Sequence, residues 1–97
     1  MNLNTLRLLK YVRSFTDGRV RIRHPALRRE DVLRTAAREM RAIDGVQSVE
    51  GNSTSGSVLI TYDAGMLPRE RLFAVGEAWA LYLDAVNDGR QADIPRV

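Results

Sequence analysis

The chain has no cysteine and a single histidine, His24. Without cysteine, disulfides and thiolate metal sites are excluded, and one imidazole cannot form a multi-histidine metal centre within one chain. No apolar run is long enough for a membrane-spanning helix, and the first residues lack the pattern of a cleaved signal peptide. We therefore expect a cytoplasmic protein that holds no cofactor.

The residue patterns of common catalytic sites are missing as well. The sequence has no glycine-rich phosphate loop of the G-x-x-x-x-G-K type and no cysteine nucleophile. The acidic residues Asp84, Asp88 and Asp93 lack the spacing of a calcium-binding loop. We expect that the protein is not an enzyme.

What the sequence does contain is the composition of one small globular domain. Of its 97 residues, 44% are hydrophobic and 28% are charged, and the net charge is +3. Lys10 is the sole lysine among the 15 basic residues, so nearly all the positive charge is arginine. Guanidinium groups suit carboxylate or phosphate partners, although solvated helix faces and codon bias explain the same excess.

Helical periodicity and strand alternation divide the first half of the chain into elements. Apolar residues recur at helical spacing over 3–15, which predicts an amphipathic helix within the N-terminal segment 1–17. Strict alternation over 19–24 predicts a half-buried strand, which Pro25 ends. An apolar stripe over 32–43 predicts the next helix.

The second half predicts a β-hairpin and another long helix. Two strands, 46–50 and 57–62, flank a loop of turn residues, and Pro68 suits the first turn of the helix that follows. The tail 89–97 is either loose or a short edge strand. This order of elements predicts an α+β, ferredoxin-like βαββα(β) sandwich over 18–88, an antiparallel sheet with two helices on one face plus the extra N-terminal helix.

Four segments of the sequence carry a resemblance to a known family. They are Gly18-Arg19-Val20-Arg21-Ile22-Arg23-His24-Pro25-Ala26-Leu27-Arg28, Ile43-Asp44-Gly45-Val46-Gln47-Ser48-Val49, Asn52 through Gly56, and Leu59-Ile60-Thr61-Tyr62-Asp63. Together they resemble the heavy-metal-associated domain over residues 18 to about 80. More narrowly, the chain is similar to the cysteine-less subgroup related to N-terminal domains of metal-transporting P-type ATPases.

The resemblance implies a ferredoxin-like fold and a role in heavy-metal homeostasis or transport. Typical members carry Met-x-Cys-x-x-Cys in the loop after the first strand, where two thiolates hold copper(I) or zinc. Here that loop reads His24-Pro25-Ala26-Leu27-Arg28-Arg29, so the metal ligands of the family have no counterpart. The resemblance therefore implies an accessory or regulatory domain that acts mainly through protein–protein contact, with a metal-transporting ATPase as a candidate partner.

The loop His24-Pro25-Ala26-Leu27-Arg28 is the predicted interaction loop, and His24 is a weak candidate metal ligand. One imidazole completes a metal site only if a second copy or a partner supplies further ligands. The alternative is that His24 ends the strand, with its ring packed on Pro25 or bonded to a backbone carbonyl. We favour this alternative, because structural zinc sites need four protein ligands.

Basic residues share one face of the predicted strand and continue into the loop. They are Arg19, Arg21 and Arg23, extended by Arg28 and Arg29. This basic patch fits an acidic protein partner. Binding of an anion or a nucleic acid is the alternative function, which we disfavour because strand 57–62 offers only Tyr62 for base stacking. The remaining alternative is a solvated face in which Glu50 pairs with an arginine across strands.

The predicted N-terminal helix has three candidate roles. Its apolar side, which includes Leu8, Tyr11 and Phe15, fits packing against the core or a homodimer seam. Its basic residues would also suit an anionic membrane surface. We favour core or interface packing over peripheral membrane contact, because such a stripe is usually buried.

Overall fold

The structure, a computed structural model, describes residues 7–95 and shows two long helices packed on a four-stranded sheet. Residues 7–9 form a helical turn. The elements that follow are β1 (Val12–Thr16), β2 (Arg19–Arg23), a 3-10 helix (Pro25–Arg28), α1 (Glu30–Arg41), β3 (Val46–Asn52), β4 (Ser57–Tyr62) and α2 (Arg69–Asn87).

The sheet has the strand order β1-β2-β4-β3, and all neighbouring strands are antiparallel. Because β2 and β3 both pair with β4, they run parallel to each other on either side of it and are joined through α1. This arrangement confirms the predicted α+β, ferredoxin-like fold. The predicted hairpin is formed by β3 and β4, with Asn52 opposite Ser57 at its open turn.

The predicted helix over 3–15 is wrong for residues 12–15, which belong to strand β1. β1 joins β2 through the two-residue connection Asp17-Gly18, in which Gly18 has a φ of +92°. An Asp-Gly pair between two extended segments is a strong hairpin signal, so it turns the chain here and does not end a helix. The first part of the prediction, residues 3–6, lies outside the described residues.

A β-bulge explains why β1 has the sequence pattern of a helix. The pairing shifts between Val12 and Ser14, so one extra residue interrupts the strand's alternation. As a result, Val12 and Phe15 both pack against the core although they are three residues apart. That spacing imitates the helical period, which is the physical reason for the wrong prediction.

The tail forms no edge strand within its described part. Residues 90–95 are irregular, and residues 96–97 lie outside the described residues. The edge beside β2, where a last strand of the ferredoxin-like plan would pair, is occupied by β1. The half-buried Ile94 still packs against the core, so the tail contributes to burial without joining the sheet.

Both long helices lie on one face of the sheet and leave the other face open. The inward residues of β2 and β4, which include Val20, Val58 and Tyr62, belong to one apolar core with the stripes of α1 and α2. Trp79 of α2 is among the most deeply buried side chains, at 2% exposed. The residues that alternate with these on β2 point to solvent.

Candidate functional site

The loop that follows β2 begins with His24, whose side chain is 1% exposed. Its backbone N–H donates to the carbonyl of Gly56 at 2.8 Å, which fixes the loop against the β3–β4 hairpin. Its ring accepts a hydrogen bond at Nδ1 from the backbone N–H of Ala26 over 3.0 Å, and so caps the 3-10 helix. A ring nitrogen that accepts carries no proton, so the proton of the neutral ring lies on Nε2.

Asp84 of α2 faces the other nitrogen of that ring. Nε2 of His24 donates to Oδ1 of Asp84 at 2.9 Å. Oδ1 also accepts from the Tyr11 hydroxyl, and Oδ2 accepts from Arg7 at 2.9 Å. The rings of Tyr11 and His24 are in contact, with centroids 4.3 Å apart. The His24 ring thus bonds a carboxylate and a backbone N–H, and not a backbone carbonyl, which was one of the two contacts that we expected.

Glu77, two turns earlier on α2, binds the same N-terminal segment. Its carboxylate accepts from the backbone N–H of Leu8 at 3.0 Å and lies 3.5 Å from Nε of Arg7. Leu8 is buried against α2 where Gly76 leaves room, because a Cβ on Gly76 would lie 2.8 Å from Leu8 Cδ2. We refer to one set of side chains as the polar cluster: Arg7, Tyr11, His24, Glu77 and Asp84.

The contacts of the polar cluster shift two pKa values in opposite directions. Burial disfavours ionisation of Asp84, but hydrogen bonds from Tyr11, His24 and Arg7 outweigh it and hold the pKa of Asp84 below its usual value. Burial and the hydrogen bond to Asp84 raise the pKa of Tyr11 to about 12. At neutral pH the cluster therefore contains an ionised Asp84 and a protonated Tyr11.

This geometry leaves little of the predicted interaction loop at the surface. His24, Ala26 and Leu27 are buried, whereas Pro25 and Arg28 are exposed. Neither ring nitrogen of His24 has a lone pair to spare, because Nδ1 accepts a hydrogen bond and Nε2 carries the proton. Within residues 7–95, no three histidine or acidic side chains come together as a metal site would need.

Arginines line the face of the sheet that the helices leave open. Arg19, Arg21 and Arg23 are exposed and point outward from β2. Along the strand they stand about 6.7 Å apart, the separation of alternate residues. Their partners on β4 are Thr61, Leu59 and Ser57. We refer to this outward surface of β2 and β4 as the arginine face.

Carboxylates of the described residues do not neutralise the arginine face. Among residues 7–95, no ion pair involves Arg19, Arg21 or Arg23. Glu50, which the sequence offered as a cross-strand partner, lies opposite Leu59 on β4. Since Leu59 in turn lies opposite Arg21, a whole strand separates Glu50 from that arginine. The alternative in which Glu50 pairs with one of these arginines is therefore wrong.

The two loop arginines of the predicted patch differ from each other. Arg28 is exposed and lies against the hairpin, because a Cβ on Gly56 would be 3.0 Å from its Cγ. Arg29 precedes α1 and pairs with Asp31 at 3.0 Å, and its hydrogen bond lowers the pKa of that carboxyl. Arg28 thus continues the basic surface towards the loop, whereas Arg29 is engaged by its own helix.

Aromatic and apolar residues near these surfaces are used inside the molecule. Tyr62 is 4% exposed and belongs to the core, so β2 and β4, both fully described, present no aromatic side chain on the arginine face. Leu8 is buried, and Phe15 packs on Phe73 with ring centroids 5.4 Å apart. In the part of the chain that the structure covers, neither helix combines the length and hydropathy that a membrane span requires.

Local sequence patterns did not predict the acidic half of the polar cluster. Asp84 stands between Leu83 and Ala85, which are both buried, and a carboxylate inside such an apolar stretch is the signal that points to it. Tyr11 has the spacing of an apolar helix side, and its hydroxyl finds a partner 73 residues away in the chain. That contact depends on tertiary packing, which no short pattern reveals.

Comparison with known proteins finds a family whose model matches the chain. The family is described as heavy metal associated domain 2, and the match covers residues 5–83. It begins before β1, includes the His24 loop and the whole sheet, and runs to Leu83 in α2. No curated protein and no solved structure matches the chain significantly.

Proposed function

Since the chain belongs to the heavy metal associated domain 2 family, we propose that it serves heavy-metal homeostasis or transport as a non-enzymatic accessory domain. In this proposal the domain acts by contact with another protein and does not itself carry the metal ion. A metal-transporting ATPase is the partner class that the family resemblance suggests.

The observation that carries the proposal is the arrangement of the loop after β2. Where typical relatives present two thiolates, this loop presents Pro25 and Arg28 at the surface and buries its one imidazole. To bind a metal ion, His24 would have to give up a hydrogen bond to Ala26 or Asp84. Leaving such buried groups unpaired costs about 1–3 kcal/mol each, which favours the metal-free loop. A metal site that two copies share through His24 would break such a hydrogen bond, at the same cost in free energy, in each copy.

Metal titration tests the chemical half of the proposal. We expect zinc, nickel and copper(I) to leave the amide NMR signals of residues 22–30 in place, because the ring nitrogens of His24 are already engaged. The matched control is His24→Asn, which removes the imidazole and keeps an acceptor for the Ala26 N–H. A saturable shift of these signals that occurs in the wild type and disappears in His24→Asn would contradict the proposal.

Deletion of the gene tests the physiological half. We expect the cellular content of zinc, nickel or copper to change in the deletion strain, and both the wild type and His24→Asn to restore it. Restoration by His24→Asn is expected because the proposed role uses contact and not imidazole ligation. Unchanged content of all three metals on deletion would overturn the assignment to metal handling.

A further inference from the structure

The arginine face is a surface of like charges that no other part of the described chain covers. Arg19, Arg21 and Arg23 have no ion-pair partner within residues 7–95, and both long helices lie on the opposite side of the sheet. The β4 residues beside them, Ser57, Leu59 and Thr61, are half-buried and uncharged. Like charges held this close repel one another, and an anionic ligand would relieve that repulsion.

One of the three guanidinium groups is already held in place. Nε of Arg23 donates to the carbonyl of Ser55 at 3.0 Å, which anchors the side chain to the β3–β4 hairpin. Its two terminal nitrogens remain available, and a guanidinium group presents such nitrogens to a carboxylate as a fork. Because the anchored side chain loses less freedom on binding, Arg23 is well suited to receive a carboxylate.

From this placement we infer that the arginine face binds an acidic protein segment that lies along β2 in an extended conformation. Alternate side chains of an extended segment point to the same side, about 6.7 Å apart. Carboxylates at every second position would therefore meet Arg19, Arg21 and Arg23 in register. The inference rests on the proposed function, since it describes the chemistry of the partner.

Two other occupants fit the arginine face less well. Single-stranded RNA is bound on open sheets through stacking on aromatic side chains, and the outward positions of β2 and β4 carry none. A second copy of the chain would bring two sets of three arginines together. Each copy would offer Glu50 as the sole acidic residue on the outward positions of the four described strands. The charge balance therefore favours an acidic partner.

The test uses the full chain and a synthetic peptide in which glutamate alternates with threonine. We expect the peptide to shift amide NMR signals of β2 and β4. We also expect it to dissociate when ionic strength rises from about 0.1 M to about 1 M, since the Debye screening length then falls from about 10 Å to about 3 Å. A peptide of the same composition with its glutamates contiguous should bind more weakly, because it loses the register with the arginines.

A pair of double variants separates the arginine face from net charge. Arg21→Glu with Arg23→Glu should weaken binding of the alternating peptide by about tenfold or more, because two charge-assisted contacts are lost. The control is Arg34→Glu with Arg71→Glu, which makes the same charge change at exposed positions on α1 and α2. This control should retain binding within about threefold.

Three outcomes would overturn the inference. They are absence of peptide binding, equal weakening in both double variants, and tighter binding of a single-stranded RNA oligonucleotide to the same face. Complementation of the deletion strain distinguishes a wrong inference about the arginine face from a wrong proposed function. If the role in metal handling is right and the face is wrong, the Arg21→Glu, Arg23→Glu variant restores metal content as the wild type does. If the role itself is wrong, deletion leaves metal content unchanged, and the peptide measurement still tests whether the arginine face binds an acidic segment.

Discussion

Arg23 and His24 are neighbours in the chain, yet the polar groups of their side chains are placed in opposite ways, one facing solvent and the other buried. The His24 ring lies in the polar cluster, where it bonds Asp84 and the backbone of Ala26. Arg23 belongs to the arginine face, and its guanidinium group donates one hydrogen bond within the described chain, to the Ser55 carbonyl. The alternation of a strand accounts for the difference, because successive side chains point to opposite sides of the sheet.

The contrast separates residues that hold the fold from residues that can bind a partner. In the polar cluster each member is bonded to another member, so removing one leaves its partner short of a hydrogen bond and lowers the free energy of unfolding. On the arginine face water solvates the guanidinium groups, so removing one costs little stability and changes what the surface can attract. The loop that holds metal in typical relatives here buries His24 in a network of hydrogen bonds. In our proposal, contact with a partner uses the arginine face of the sheet.

The largest effect that would test this contrast is expected for His24→Ala. The change removes two hydrogen bonds, leaves the Ala26 N–H and Asp84 short of partners, and opens a cavity beside Tyr11. We expect it to lower the free energy of unfolding by about 3 kcal/mol. Arg23→Ala, one residue earlier, should change it by less than about 0.5 kcal/mol. Urea unfolding followed by fluorescence of the single tryptophan, Trp79, measures both.

A milder substitution, His24→Asn, separates the contributions of the two His24 side-chain hydrogen bonds to the free energy of unfolding. His24→Asn keeps a side-chain acceptor for the Ala26 N–H but is too short to reach Asp84. We expect its unfolding free energy to lie between those of the wild type and His24→Ala. Equal stability of His24→Ala and Arg23→Ala would erase the distinction between the polar cluster and the arginine face.

The second effect concerns the carboxylate at the centre of the polar cluster. Asp84→Ala leaves Tyr11 and His24 without their acceptor, and Arg7 with Glu77 as its remaining partner. We expect a loss of about 2 kcal/mol, below the range for a fully buried pair because the Arg7 side chain is 40% exposed and water can solvate it. Asp88→Ala, at the exposed end of the same helix, is the control and should cost less than about 0.5 kcal/mol. Similar losses in the two variants would contradict the central place of Asp84.

How far sequence alone reaches differs between the two regions. Alternation over β2 was sufficient to predict that Arg19, Arg21 and Arg23 share a face, because a strand has a period of two residues. Among the described residues these arginines have no carboxylate partner, because the register places Glu50 beyond β4. Local patterns do not contain this information.

The polar cluster was harder to predict from sequence patterns than the arginine face. Its bonds to Asp84 join residues 60 to 77 positions apart, so they exist only once α2 has packed against the N-terminal segment. The same limit explains the wrong helix at the start of the chain, where a bulge gave β1 an apolar spacing of three. By contrast, α1, α2 and β4 each bury one side, and their periodicity was sufficient to predict them. The turn residues between β3 and β4 were sufficient to predict the hairpin.

The third effect is expected in acid, which protonates Asp84 and leaves the guanidinium groups of the arginine face charged. The pKa of Asp84 is lower in the folded protein than its usual 3.8. Its contribution to stability is therefore fully present above about pH 3.8 and is lost as the pH falls through the lower, folded value. We expect unfolding free energy to fall in this acid range, and to fall less in Asp84→Asn.

A matched acidic residue on the surface controls for general acid effects. The pKa of Asp31 is also lowered, by its hydrogen bond from Arg29, but both side chains are mostly exposed. Salt at about 1 M should therefore reduce the Asp31 contribution more than that of Asp84. An acid dependence that is the same in the wild type and in Asp84→Asn would show that Asp84 gains nothing from its three donors.

The smallest effect is expected at the Tyr11 hydroxyl, on the alkaline side. Its pKa rises from 10.0 to about 12 in the folded protein, so its contribution to stability is fully present below about pH 10 and is lost as the pH rises towards 12. Tyr11→Phe removes one hydrogen bond but keeps the ring against His24, and His24 and Arg7 still donate to Asp84. We therefore expect a cost of about 1 kcal/mol at neutral pH.

Absorbance titration of tyrosinate checks whether Tyr11 belongs to the polar cluster. The wild type should show a late ionisation step near pH 12 that is missing in Tyr11→Phe. Tyr82→Phe, which changes a ring packed on Trp79 away from Asp84, should retain that step. A late step that persisted in Tyr11→Phe would place this hydroxyl outside the cluster. Asp84 would then hold the N-terminal segment through Arg7 alone, a side chain that is partly exposed to water. The polar cluster would in that case contribute less to stability, and it would differ less from the solvated arginine face.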